Sequence, residues 1–113
     1  MAPNTPHHEI PPGTLEMLIL ATLLRHKELH GFGIADAIAR TSAEVLRVEE
    51  GSLYPALQRL LLQGWVSGRW DRTEGNRRAR YYRLTSAGRA QVAREVSGWR
   101  RIVGAIDLVV APA

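Results

Sequence analysis

Gly51-Ser52-Leu53-Tyr54-Pro55-Ala56-Leu57-Gln58-Arg59-Leu60 reads as a short helix with one apolar side and one polar side, and an arginine-laden hairpin follows at once, closing on Arg80-Tyr81-Tyr82-Arg83-Leu84-Thr85. Leu53, Leu57, Leu60 and Leu61 share one face of a helix from about Glu50 to Gln63. Ser52, Pro55, Gln58, Arg59 and Leu62 are left off it. Such a helix beside a basic ribbon is the pairing that duplex recognition requires, because one element enters a groove while the other neutralises phosphate. Pro55 falls in the first turn or just beyond, where a missing amide is tolerated, and Gly64 ends the helix.

The hairpin arms are Val66 to Asp71 and Arg80 to Leu84, rich in β-branched and aromatic residues. The tip runs from Arg72 to Ala79 with Gly75-Asn76 at its centre. Alternation sets Val66 with Trp70 on one face, and Tyr82 with Leu84 likewise, so a core side and a solvent side are available. Upstream, Thr14 caps a first helix to about Arg25, with Leu15, Leu18, Ile19, Thr22 and Leu23 at helical spacing. Met17, Leu20 and Leu24 make its other sides apolar, so it is buried on more than one side. His30-Gly31-Phe32-Gly33 breaks that helix, and Ile34, Ala35 and Ile38 give a second one to about Thr41. Leu46-Arg47-Val48 reads as a brief extended piece. Downstream, Thr85 caps a last helix in which Val92, Val96, Trp99, Val103, Ile106 and Val110 form an a/d seam. Residues 1–12, with four prolines and no periodicity, read as a flexible tail.

The resulting expectation is a mainly α protein with a small β-hairpin. Residues 13–85 form a winged helix-turn-helix and residues 86–110 a C-terminal dimerisation helix. At 113 residues the chain is one small domain that gains stability by associating. The formal charge of +4 is unevenly placed, since Arg59 to Arg101 hold eleven arginines against three acids. That asymmetry implies a polyanionic partner. With no cysteine, a disulfide scaffold, thiolate metal site and cysteine nucleophile are excluded, which fits a reducing cytoplasm. The first residues lack the basic and apolar regions of an export signal, and the longest apolar run, Leu15 to Leu24, is short of the ~20 residues that span a bilayer. His7 and His8 have no ligand set around them, so no metal or cofactor is expected. No nucleophile stands beside a base and no glycine loop precedes a helix as a phosphate cradle, so no enzyme is expected either.

From about Thr14 to Val110 the chain also resembles the short PadR-type transcriptional regulators that carry a single C-terminal helix. The resemblance lies in His30-Gly31-Phe32-Gly33-Ile34, in Gly51 to Leu57, and in Arg77-Arg78-Ala79-Arg80-Tyr81-Tyr82-Arg83-Leu84-Thr85-Ser86-Ala87-Gly88. Phe32 stands where that family usually has Tyr, Glu50 where Pro is usual, and Ala79 where the wing is often basic. Glu49 and Glu50 favour the helix dipole yet repel a nearby phosphate. The resemblance implies a repressor of transcription that binds a pseudo-palindromic operator as a homodimer.

Candidate DNA contacts are Ser52, Tyr54, Gln58 and Arg59 on the helix, and Arg77, Arg78 and Arg80 on the wing. Gln pairs with adenine and Arg with guanine in the major groove, and arginines at a hairpin tip suit phosphate or the minor groove. Tyr54 either donates its hydroxyl to DNA or fills the seam between helix and wing. The dimer interface is expected at Leu15, Leu18, Val92, Val96, Trp99, Val103, Ile106 and Val110. Trp99 in such a seam most simply packs between subunits. In multidrug-responsive members of the resembled family a tryptophan at the matching place stacks on flat ligands, which implies a small aromatic or hydrophobic effector held by Trp99, Val96 and Val103. Two rival readings are a winged-helix module that meets an acidic protein surface and a DNA binder that needs no effector.

Overall fold

The structure, a computed structural model, describes residues 10, 11 and 13–112. Its order is α1 (Leu15–Arg25), β1 (Leu29–His30), α2 (Gly31–Thr41), α3 (Glu50–Leu62), β2 (Val66–Arg72), β3 (Arg78–Leu84) and α4 (Ser86–Val110). The expected tail lies outside the described residues, save for Ile10 and Pro11. The architecture is a helix-turn-helix with a wing and one long terminal helix. Ile19, Leu20, Leu23, Ile34, Ile38, Leu53, Ala56, Leu57 and Leu60 form the core, closed from the sheet side by Val66, Tyr82 and Leu84 and from α4 by Val92. Each large aliphatic side chain buried there contributes about 1.5–3 kcal/mol.

Several details depart from the sequence reading. Thr14 precedes α1 but does not cap it; its hydroxyl donates back to the Pro11 carbonyl at 2.7 Å. Gly31, Phe32 and Gly33 do not interrupt the chain but open α2, because His30 Nδ1 accepts from Gly33 N at 2.9 Å and caps the helix there. Leu46 makes an isolated β-bridge within the expected extended piece, which does not join the wing sheet. The third strand of that sheet is β1, with Leu29 opposite Tyr82 and His30 opposite Tyr81, giving the antiparallel order β1-β3-β2. The hairpin arms are longer than expected, pairing from Val66 with Leu84 out to Arg72 with Arg78. Ala56, overlooked beside the leucines, is fully buried, while Leu61 is only partly so.

The turn after α3 joins these layers. Gly64 adopts a φ of +76°, and Gly64 N and Trp65 N donate to the carbonyls of Leu61 and Leu60, closing the helix as a Schellman motif. Thr85 then donates from its hydroxyl to the Gly64 carbonyl at 2.6 Å and from its amide to the Trp65 carbonyl, while capping α4 by accepting from Gly88 N. The start of α4 is thereby pressed onto the end of α3. A Cβ at Gly88 would lie 1.9 Å from the Trp65 carbonyl oxygen, a backbone atom that cannot step aside. Gly88→Ala is therefore expected to cost more than about 3 kcal/mol in denaturant unfolding; a loss within the range of an ordinary surface substitution would show that α4 does not meet this turn.

Candidate nucleic-acid interface

Burial of Leu53, Ala56, Leu57 and Leu60 turns the opposite side of α3 outward. At 3.6 residues per turn that side carries Gly51, Pro55, Gln58 and Leu62 along its middle, with Ser52 and Arg59 on one flank and Tyr54 on the other. Pro55 lies within the helix, and Glu49 and Glu50 begin it without a side-chain cap. Ser52 and Gln58 are exposed. Arg59 differs from its expected setting, since its Nε donates to Glu16 Oε1 at 2.6 Å and ties α3 to α1.

Tyr54 faces the wing. A Cβ at Gly31 would come within 3.0 Å of the Tyr54 ring and hydroxyl, so the ring lies on the bare backbone where α2 begins. Half of Tyr54 remains exposed. It forms one wall of a groove of about 560 Å³ whose other walls include Phe32, Trp70, Arg77, Arg78 and Arg80. The groove exists because β1 holds β3 next to the start of α2.

On the wing the tip is tighter than expected. Thr73 N donates to the Arg77 carbonyl at 2.8 Å, Asn76 takes a left-handed φ of 60°, and Arg72 reaches the Asn76 carbonyl at 3.2 Å. Arg77 stays in this loop, its side chain unpaired among the described residues. Arg78 belongs instead to β3, opposite Arg72, and its guanidinium lies 4.5 Å from the centre of the Trp70 ring. Arg80, opposite Trp70, lies 5.8 Å from that ring and 6.0 Å from Tyr82. Trp70 shares the face of Val66 as expected but is no core residue: the hairpin outruns the domain body, and the residue is 55% exposed. Burial raises the Tyr82 hydroxyl pKa at the groove floor. Trp70 and Phe32 were missed as groove residues, although pairing Val66 with Leu84 already places Trp70 beside Arg80.

The other face of the wing is neutralised. Arg69 Nε donates to Glu28 Oε2 at 2.9 Å and its terminal nitrogens to Glu28 Oε1 and Asp71 Oδ2, while its guanidinium stacks 5.4 Å from Tyr81. The hydrogen bond from Arg69 lowers the Glu28 pKa below the ordinary carboxylate value. That of Asp71 is lowered by Arg69 and then by the Arg72 amide. The same two carboxylates raise the Arg69 pKa. This brace links the segment before β1 to the wing.

The last helix presents its seam unevenly. Val92, expected between subunits, is only 2% exposed within the single chain because it packs into the core beside α1. Leu15, Leu18 and Val96 are partly buried against the same core. Beyond them the seam opens, with Trp99 44% and Val110 69% exposed and Ile106 also open to solvent. No helix among the described residues is long and apolar enough to cross a membrane, and no group of three or more potential metal ligands is gathered among them.

Comparison with known proteins agrees with this geometry. Residues 19–94 match the model of the transcriptional regulator PadR-like family. An uncharacterized protein of Lysinibacillus sphaericus is 31% identical over 97 residues, covering 85% of this chain and 87% of the relative. A transcriptional regulator from Clostridium thermocellum superposes with a TM-score of 0.78 at 26% identity, covering 87% of this chain and 94% of its own. A PadR family regulator from Clostridium difficile gives 0.73 at 26% identity, covering 88% of this chain and all of its own.

The brace generates a pH expectation. Because pairing lowers the folded-state pKa of Glu28 and Asp71, its contribution is complete above the ordinary carboxylate range and is lost as pH falls through the lowered values. The Arg69 Nε–H should be protected from exchange in NMR spectra at neutral pH and lose protection in acid, and Glu28→Gln should lose it already at neutral pH. Protection that survives this substitution would mean that the guanidinium is held by other means.

Proposed function

Because the chain belongs to the PadR-like family of transcriptional regulators, whose members bind DNA and are not enzymes, we propose that it is a ligand-responsive repressor that binds a pseudo-palindromic operator as a homodimer. The observation that carries this reading is the adjacency of the outward face of α3 to a groove lined by Arg77, Arg78 and Arg80. In this reading α3 enters the major groove, where Gln58 and Ser52 meet base edges and Tyr54 meets the backbone, and the wing arginines hold the flanking phosphates. Arg59 stabilises the seat of α3 on α1 through Glu16, and it reaches DNA only by leaving that pair.

The exposed half of α4 supports the dimer. Trp99, Ile106 and Val110, exposed, and Val103, half-buried, continue a seam that begins in the core, and a single subunit does not keep such a stripe in water. A Cβ at Gly98 or Gly104 would meet nothing within 4 Å, so neither glycine serves packing inside one subunit. Residues 13–85 then act as the reading unit and 86–110 as the joining helix, with the two reading helices about one duplex turn apart, ~34 Å. A flat aromatic or hydrophobic effector lodged at Trp99 between Val96 and Val103 shifts that separation, provided it binds the two arrangements with different affinity.

Two outcomes test these roles. Gln58→Ala should cost about 1–3 kcal/mol on the preferred site and relax discrimination at one or two positions; an equal loss on random duplex would remove Gln58 from base reading. Val103→Glu should abolish the dimer in sedimentation and operator binding with it, whereas a stable dimer of this variant would contradict the proposed interface.

A further inference from the structure

The two faces of the wing treat arginine oppositely. Arg69 is neutralised by Glu28 and Asp71, whereas Arg78 and Arg80, on the other face of the same hairpin, make no ion pair among the described residues. They are nonetheless held in place. Arg80 lies across Gly68, where a Cβ would come within 2.6 Å of its Nε and 3.3 Å of Cζ. Its Nε is buried without a hydrogen-bond partner, and rings close in from two sides, Trp70 and Tyr82. Arg78 covers the same indole.

From this arrangement we infer that Gly68 and Trp70 are positioning residues that seat Arg80 and Arg78 as a receptor for one phosphate of duplex DNA; the inference rests on the DNA-binding reading of the wing. A guanidinium does not lose its proton, so its charge persists after it has been stripped of water on one side. Removing an N–H from water without giving it an acceptor is unfavourable, and such a group in a folded protein calls for an explanation. Here no carboxylate is supplied from within, while aromatic walls lower the local dielectric and hold the cations in one orientation by cation–π attraction. The terminal N–H groups are left uncommitted on a surface that also carries Arg77. A phosphodiester, charged and rich in acceptor oxygens, meets these terminal N–H groups without requiring the arginines to rearrange, while the buried Nε marks how closely Arg80 is seated on Gly68. Gly68 is essential to it because any side chain there occupies the bed of Arg80.

The test is a double-mutant cycle read on random-sequence duplex across a salt series, since phosphate contacts carry no sequence preference. Gly68→Ala should weaken binding about tenfold and lower the salt slope by about one, as should Arg80→Ala. In the Arg80→Ala background Gly68→Ala should add less than about twofold, because the residue it positions is gone. If Arg80→Ala alone changes neither affinity nor slope, the DNA reading of this arginine fails and the seat with it. If Arg80→Ala weakens binding but Gly68→Ala has its full effect in both backgrounds, the glycine acts on strand pairing and the inference is overturned while the DNA reading stands. Trp70→Leu paired with Arg78→Ala gives a parallel cycle at an exposed residue, so the question is decided even where Gly68→Ala does not fold; additivity there likewise overturns the inference.

Discussion

Leu53, Ala56, Leu57 and Leu60 lie essentially out of water among Ile19, Leu20 and Ile34, and this burial decides which way α3 faces. Rotating the helix by one residue would expose aliphatic surface and draw Gln58 toward the core without a partner, so the outward stripe is a consequence of the inward one. The Glu16–Arg59 pair secures the same orientation from the α1 side, and the Schellman turn at Gly64 sets where the wing departs. Reading of a duplex, in this account, is what remains of a helix after its packing has been satisfied.

The wing depends on that frame at two points. Its base is fixed by β1, two residues that bind the hairpin to the start of α2 and so create the groove between Tyr54 and Trp70. Its outer face is tied to the segment before β1 by Arg69, whose charge is paired with Glu28 and Asp71. The arginines on the groove face make no ion pair among the described residues. Strand parity thus puts the ion-paired Arg69 on one face of the hairpin and Arg78 and Arg80 on the other, since successive residues point to opposite faces.

Much of this was legible in the residues. The leucine spacing of α3, the Thr85 cap, the Gly64 stop and the alternation of the wing arms each follow from local rules that the structure obeys. What escaped was tertiary. Two residues, Leu29 and His30, are too few to show strand periodicity, and their pairing arises only once Tyr81 and Tyr82 lie alongside. Gly31 and Gly33 look like helix breakers in isolation, but the His30 cap and the ring of Tyr54 make glycine suitable at the start of α2. Trp70 has core composition and core parity, yet stands beyond the reach of the core because the hairpin is longer than its hydrophobic support. Val92 shares the seam's spacing but is buried within the subunit, since α1 covers the first turns of α4. Periodicity names a face; it does not say which neighbour covers it.

Helix α4 completes the core with its first turns, and in the proposed dimer its remainder, from Trp99 onward, joins two subunits. The number of reading heads on one duplex is the central claim, and selection of bound sites from a randomised duplex pool tests it most directly. The account predicts enrichment of a two-fold symmetric sequence whose half-sites are centred ~10 bp apart or a multiple of this. A single asymmetric site, or no enrichment over the starting pool, would contradict it.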